Sequence, residues 1–125
     1  MKIEVSPGEL LDRLTIIEIK LEKITDPARC ARLERDRAAL LRARGDIKDP
    51  EVDRLAGELK TVNTALWRIE DDLRAHEQRR DFGATFVELA RAVYFNNDRR
   101  AALKRMIDEQ LGSALTEEKS YPSYR

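Results

Sequence analysis

Val52, Leu55, Leu59, Val62, Leu66, Ile69, Leu73 and His76 recur at alternating spacings of three and four residues, and this unbroken heptad seam constrains the fold more than any other feature of the sequence. A run of that period folds as a helix laid against other helices, because in a strand the same residues would scatter over both faces. Asp49-Pro50-Glu51 supplies a helix start, and no stop follows before Asp81-Phe82-Gly83. The predicted helix is therefore about 30 residues, or about 45 Å, long. The seam suits an intramolecular hairpin and a coiled-coil dimer equally well.

The flanking segments repeat the same helix grammar. Ser6-Pro7-Gly8-Glu9 is a capping box with proline at the first helical position, opening a helix that runs to about Ile24. Leu10, Leu14, Ile17, Leu21 and Ile24 form its stripe, with Leu11, Ile16 and Ile19 as apolar surface outside it. Asp26 before Pro27, and Gly45 as a stop, bound a second helix over Pro27 to Arg44. A further helix begins near Ala84 with Phe86, Leu89, Ala90, Val93 and Tyr94 on one face and ends at Gly112-Ser113. Extending that face in register meets Asn97, Arg100 and Lys104, so either the helix breaks at Asn96-Asn97 or a polar patch is buried there.

These elements predict one all-α domain over residues 1–125, an antiparallel helical bundle or long helical hairpin of four to five helices with a coiled-coil-like seam. Residues 1–6 read as an extended arm and 113–125 as a tail. At 38% charged and only 6% aromatic, the composition argues for helices over a sandwich or barrel. Lys+Arg and Asp+Glu both total 24, so nucleic acid is not the expected partner and self-association as a homodimer is. The second helix alone carries six arginines against Glu34 and Asp36, a local excess best read as a solvated face. There is no apolar leader and no stretch near the roughly 18 uncharged residues of a membrane span, so the expected location is cytoplasmic. Cys30 stands alone and reads as a core or boundary residue.

Two polar groupings are candidate sites. Trp67, Glu70, Asp71, Arg74 and Glu77 fall within three turns of the long helix. Glu70 to Arg74 is an i,i+4 pair and Asp71 to Arg74 an i,i+3 pair, so surface ion pairing accounts for them, with an amine, a sugar hydroxyl or a hydrated cation as the functional alternative. Arg91, Asn97, Arg100 and Lys104 interrupt the apolar stripe of the last helix, where they either meet carboxylates of other helices or receive a phosphate or carboxylate. Asp72 with His76, the single histidine, lacks further N or S ligands, so no metal and no cofactor are expected. The sequence carries no P-loop, dinucleotide-binding turn, nucleophile elbow or metalloprotease helix.

The run Glu4-Val5-Ser6-Pro7-Gly8-Glu9-Leu10-Leu11-Asp12 followed by Leu14 to Lys20 resembles the opening of a small bacterial and phage family catalogued as a domain of unknown function. The resemblance continues through Val62-Asn63, Leu66-Trp67, Ile69-Glu70-Asp71 with Arg74 and Glu77, then Leu89-Ala90-Arg91 with Val93-Tyr94, and Asn97-Asp98 with Arg100. It closes on Gly112-Ser113 with Glu117-Glu118-Lys119-Ser120-Tyr121 and so spans nearly the whole chain, the second helix being its variable part. It implies no activity, but it associates the chain with surface-polysaccharide (lipopolysaccharide) and glycosyltransferase gene neighbourhoods. It also directs attention to the polar residues within its matched segments: Asp12, Glu18 and Lys20, then Asn63, Trp67, Glu70, Asp71 and Arg74, then Arg91, Tyr94, Asn97, Asp98 and Arg100.

Two functions are therefore expected in order. The first is a non-enzymatic interaction or adaptor module with a protein partner in polysaccharide synthesis, contacting it through the seam or through the tail with Glu117, Glu118, Lys119 and Tyr121. The second is a small-ligand binding protein or enzyme acting on a phosphorylated or carboxylated metabolite such as a nucleotide sugar. In it Arg91, Arg100 and Lys104 hold the ligand and Glu70 or Asp71 serves as base or cation ligand.

Overall fold

The computed structural model describes residues 1–113, and among them the chain is all-helical: α1 (Pro7–Lys23), α2 (Pro27–Arg44), α3 (Pro50–Arg79) and α4 (Ala84–Gln110). The tail candidates Glu117, Glu118, Lys119 and Tyr121 lie outside the described residues. Each of the first three helices opens as its sequence dictates, with proline in the first turn and the Ser6, Asp26 or Asp49 side chain accepting a hydrogen bond from an otherwise orphaned amide. α2 stops at Gly45, whose φ of 58° an L side chain adopts only at a cost.

The seam of α3 divides into two halves. Val52, Leu55, Leu59 and Val62 are buried against Leu10, Leu11 and Leu14 of α1 and Leu103 and Ile107 of α4, so this half is an intramolecular core. Leu66, Ile69 and Leu73 are only half-buried. α1 has 17 residues against 30 in α3, and a third helix therefore covers only part of the α3–α4 pair. These two helices run in opposite directions. Gln110 donates to Asp49 Oδ2 at 3.1 Å, Arg99 meets Glu58 at 3.3 Å, and the rings of His76 and Phe86 lie 6.3 Å apart.

α4 does not break at Asn96-Asn97. Asn96 Nδ2 donates to the Ala92 carbonyl at 2.8 Å within the continuing helix, and the polar residues in register become interface groups. Lys104, 6% exposed, pairs with Glu9 at 2.5 Å. Fully buried Asp108 accepts from the Gly8 amide at 2.7 Å, placing a carboxylate at the positive end of α1. α1 can come this close to α4 only because residue 8 lacks a side chain: a Cβ there would sit 2.3 Å from the Lys104 carbonyl oxygen. α2 packs mainly on α1, reaches α3 through an Arg44–Asp53 ion pair at 3.1 Å, and buries no residue fully.

Two outcomes follow at this interface. Gly8→Ala must push the two backbones apart and break the Asp108 bond, and is expected to cost about 3 kcal/mol in urea denaturation. The Glu9 carboxyl is pushed up by burial, but hydrogen bonds and charge from Lys104 and Arg13 more than offset this and hold it below its ordinary range. A lowered folded-state value means stability that is present above the unfolded value, about 4.3, and is lost as pH falls through the folded one. Glu9→Gln should flatten that acid limb of a stability–pH curve; an unchanged limb would show that other carboxylates set it.

Candidate functional site

The interior of the α1–α3–α4 junction is polar at one point. Asp12 has no exposed surface, and its carboxylate accepts from Arg100 Nε at 2.9 Å on Oδ1 and from Arg100 Nη2 at 2.5 Å on Oδ2. Asn63 Nδ2 donates both to Asp12 Oδ1 and to Thr15 Oγ1, each at 2.9 Å, and the Thr15 hydroxyl donates to the Asp12 carbonyl at 2.7 Å. The three helices are thus cross-linked by a buried carboxylate held bidentately, the geometry in which a guanidinium best compensates lost hydration.

Beside this network opens a cleft of about 390 Å³. Ile16, Ile19, Leu66 and Asn63 line its deeper part, and Trp67, Glu70, Asp71 and Arg74 of α3 face Asn97 and Arg100 of α4 across it. Asn63, Trp67, Glu70 and Arg74 succeed one another at spacings of four, three and four, so they form a polar stripe running beside the apolar seam. Its volume falls within the range of small-molecule sites, while its lining, with six of ten residues polar or charged, is more polar than such sites usually are.

Seven of the residues singled out from sequence therefore meet in one place: Asn63, Trp67, Glu70, Asp71, Arg74, Asn97 and Arg100. The others do not join them. Arg91 is exposed with its guanidinium 6.0 Å from the Phe95 ring centroid, Tyr94 is 60% exposed, Asp98 is exposed, and Lys104 is buried at Glu9. Arg91, Arg100 and Lys104 consequently have three different environments and do not converge on one anion. Sequence reasoning did not single out Ile16 and Ile19 as cleft residues, nor Thr15 as a network member, since a single stripe was assigned to a helix that touches three others.

The ion pairs that spacing predicts at Arg74 are not formed. Neither Glu70 nor Asp71 lies within 4.0 Å of its guanidinium, and among the described residues the side chains of Trp67, Glu70, Asp71, Arg74 and Asn97 make no hydrogen bond or ion pair. The same spacings close elsewhere: Arg54 pairs with Glu51 at i−3 and with Glu58 at i+4. Among the described residues no group of three or more His, Cys, Asp or Glu is arranged to hold a metal, and no helix is long and apolar enough to cross a membrane.

The buried pair yields a direct test. Arg100→Leu leaves Asp12 charged and uncompensated and should cost about 3–5 kcal/mol, whereas Asp12→Leu combined with Arg100→Leu should recover most of that loss. Urea denaturation of the two single variants and the double variant measures the coupling.

The family model described as a family of unknown function (DUF6165) matches residues 1–124. No curated protein and no solved structure matches the chain.

Proposed function

Starting from the premise that the chain belongs to DUF6165, a family of unknown function, we propose that it is a small-molecule recognition module whose ligand lies in the α1–α3–α4 cleft. One observation carries this reading: Trp67, Glu70, Asp71, Arg74 and Asn97 line a single cleft with their polar groups unspent on one another. Polar side chains held apart on a rigid helix surface are preorganised for a partner, and an aromatic ring among them offers a stacking face for a sugar or a base. The reading treats the four helices as an antiparallel bundle with Arg100 fixed from behind by Asp12. The ligand class is a sugar-bearing metabolite with a charged group, such as a sugar phosphate or nucleotide sugar, in keeping with the surface-polysaccharide association that the family resemblance implies.

A second reading, the adaptor, draws on a different surface. Val87, Tyr94 and Phe95 on α4 are 51%, 60% and 39% exposed, and Phe82 at the hairpin turn is 50% exposed. Aromatic residues with an arginine beside them are what protein contacts favour. In that reading the protein is a cytoplasmic homodimer or docks a partner of polysaccharide synthesis, and the cleft is incidental.

Trp67 is the single tryptophan in the chain, so its fluorescence reports on the cleft. Titration with a panel of sugar phosphates and nucleotide sugars should shift that emission, and Arg74→Ala should weaken the responding ligand about tenfold, about 1.4 kcal/mol, with the melting temperature unchanged. A flat emission across the panel would rule out the cleft for these ligands, and a response unaltered in Arg74→Ala would place them elsewhere.

A further inference from the structure

The charges that line the cleft do not balance. Arg100 is bound on two nitrogens by the fully buried Asp12, so within the site its charge is already matched. Among the described residues what remains is Glu70 and Asp71 against Arg74, two carboxylates and one guanidinium with no ion pair among them. Consecutive helical residues diverge by about 100°, yet Glu70 and Asp71 both line this cleft, with Trp67 one turn earlier on the same helix.

A phosphate or carboxylate entering on its own would meet two unmatched acids and a single unmatched cation, so anion charge alone gives it little net attraction. An ammonium group meets the reverse. Two carboxylates attract it and accept its hydrogens, and the indole face adds its quadrupole attraction for a cation. Arg74, one turn beyond Glu70, can then take an anionic group carried by the same molecule.

On the reading that the cleft binds a small polar molecule, we propose that its ligand bears a protonated primary amine, held by Glu70 and Asp71 beside Trp67, together with an anionic group held by Arg74. The ligand is zwitterionic, with its amine as the selected feature. Of the amine, sugar hydroxyl or hydrated cation that the sequence left open for this grouping, the amine is selected, and the anion expected at the basic residues of α4 moves to Arg74.

Three probes that differ at one carbon isolate the amine: glucosamine 6-phosphate, glucose 6-phosphate and N-acetylglucosamine 6-phosphate, titrated calorimetrically into the full chain beside the nucleotide sugars. Glucosamine 6-phosphate is expected to bind at least tenfold more tightly than the other two. The preference should fall below threefold in Glu70→Gln/Asp71→Asn, both exposed and unpaired positions, with an unchanged melting temperature confirming the fold. An amine-free probe binding as tightly as the amine, nucleotide sugars binding alone, or a preference that survives the double substitution would each overturn the amine assignment while leaving the cleft as a binding site. Absence of binding by every probe would overturn the cleft reading, and the amine with it.

Discussion

A carboxylate with no exposed surface at the meeting point of three helices sets the terms for this fold. Placing Asp12 there costs several kcal/mol of hydration, which only a well-placed cation and further donors offset. Arg100 must therefore reach it from α4 with both nitrogens, and Asn63 from α3 with its amide. The requirement fixes rotation and axial position together: a shift of α4 by one residue would turn Arg100 by about 100° and leave Asp12 unpaired. Apolar packing of Leu11, Leu55, Leu59, Leu103 and Ile107 supplies adhesion without that discrimination, since leucine-rich faces tolerate sliding.

The approach of α1 to α4 is set a turn away, at Gly8. With no Cβ between the helices, the α1 amide reaches Asp108 directly and Lys104 folds onto Glu9, so the N-terminal turn of α1 is clamped by a carboxylate, a lysine and a close backbone contact. Further along α1, Ile16 and Ile19 line the cleft together with residues of α3 and α4. A close backbone approach and a cleft thus border the same helix, with Gly8 at the first and Ile16 and Ile19 at the second.

Helix extents were legible because their signals are local. Proline after a capping side chain at Ser6, Asp26 and Asp49, and glycine at 45, are read without knowledge of any neighbour. The stripe of α4 was legible as an anomaly but not as an outcome, because Asn97, Arg100 and Lys104 look the same whether they break a helix or face partners some ninety residues away in sequence. Arg100 to Asp12 and Lys104 to Glu9 are such partners. Thr15 escaped notice for the opposite reason: a hydroxyl that satisfies its own helix's carbonyl reads as surface until Asn63 is placed beside it. Spacing grouped Trp67, Glu70, Asp71 and Arg74 with Glu77, of which the first four line the cleft and Glu77 does not, and their open geometry was invisible, since spacing permits an ion pair without forming it.

That open geometry has a physical origin in the neighbours rather than in the pair. At Arg54 the helix face looks into solvent, and the arginine has nothing to do but close on Glu51 and Glu58. Around Arg74 the stripe borders a concavity formed with Ile16, Ile19 and α4, and among the described residues no such pair closes there. Surface ion pairs of this kind contribute only about 0.3–0.5 kcal/mol, which makes leaving them open inexpensive to the fold. A fold that places its costly electrostatics in Asp12 and Arg100, where they fix the architecture, and leaves Glu70, Asp71 and Arg74 weakly committed has separated the charges that build it from those free to meet a ligand.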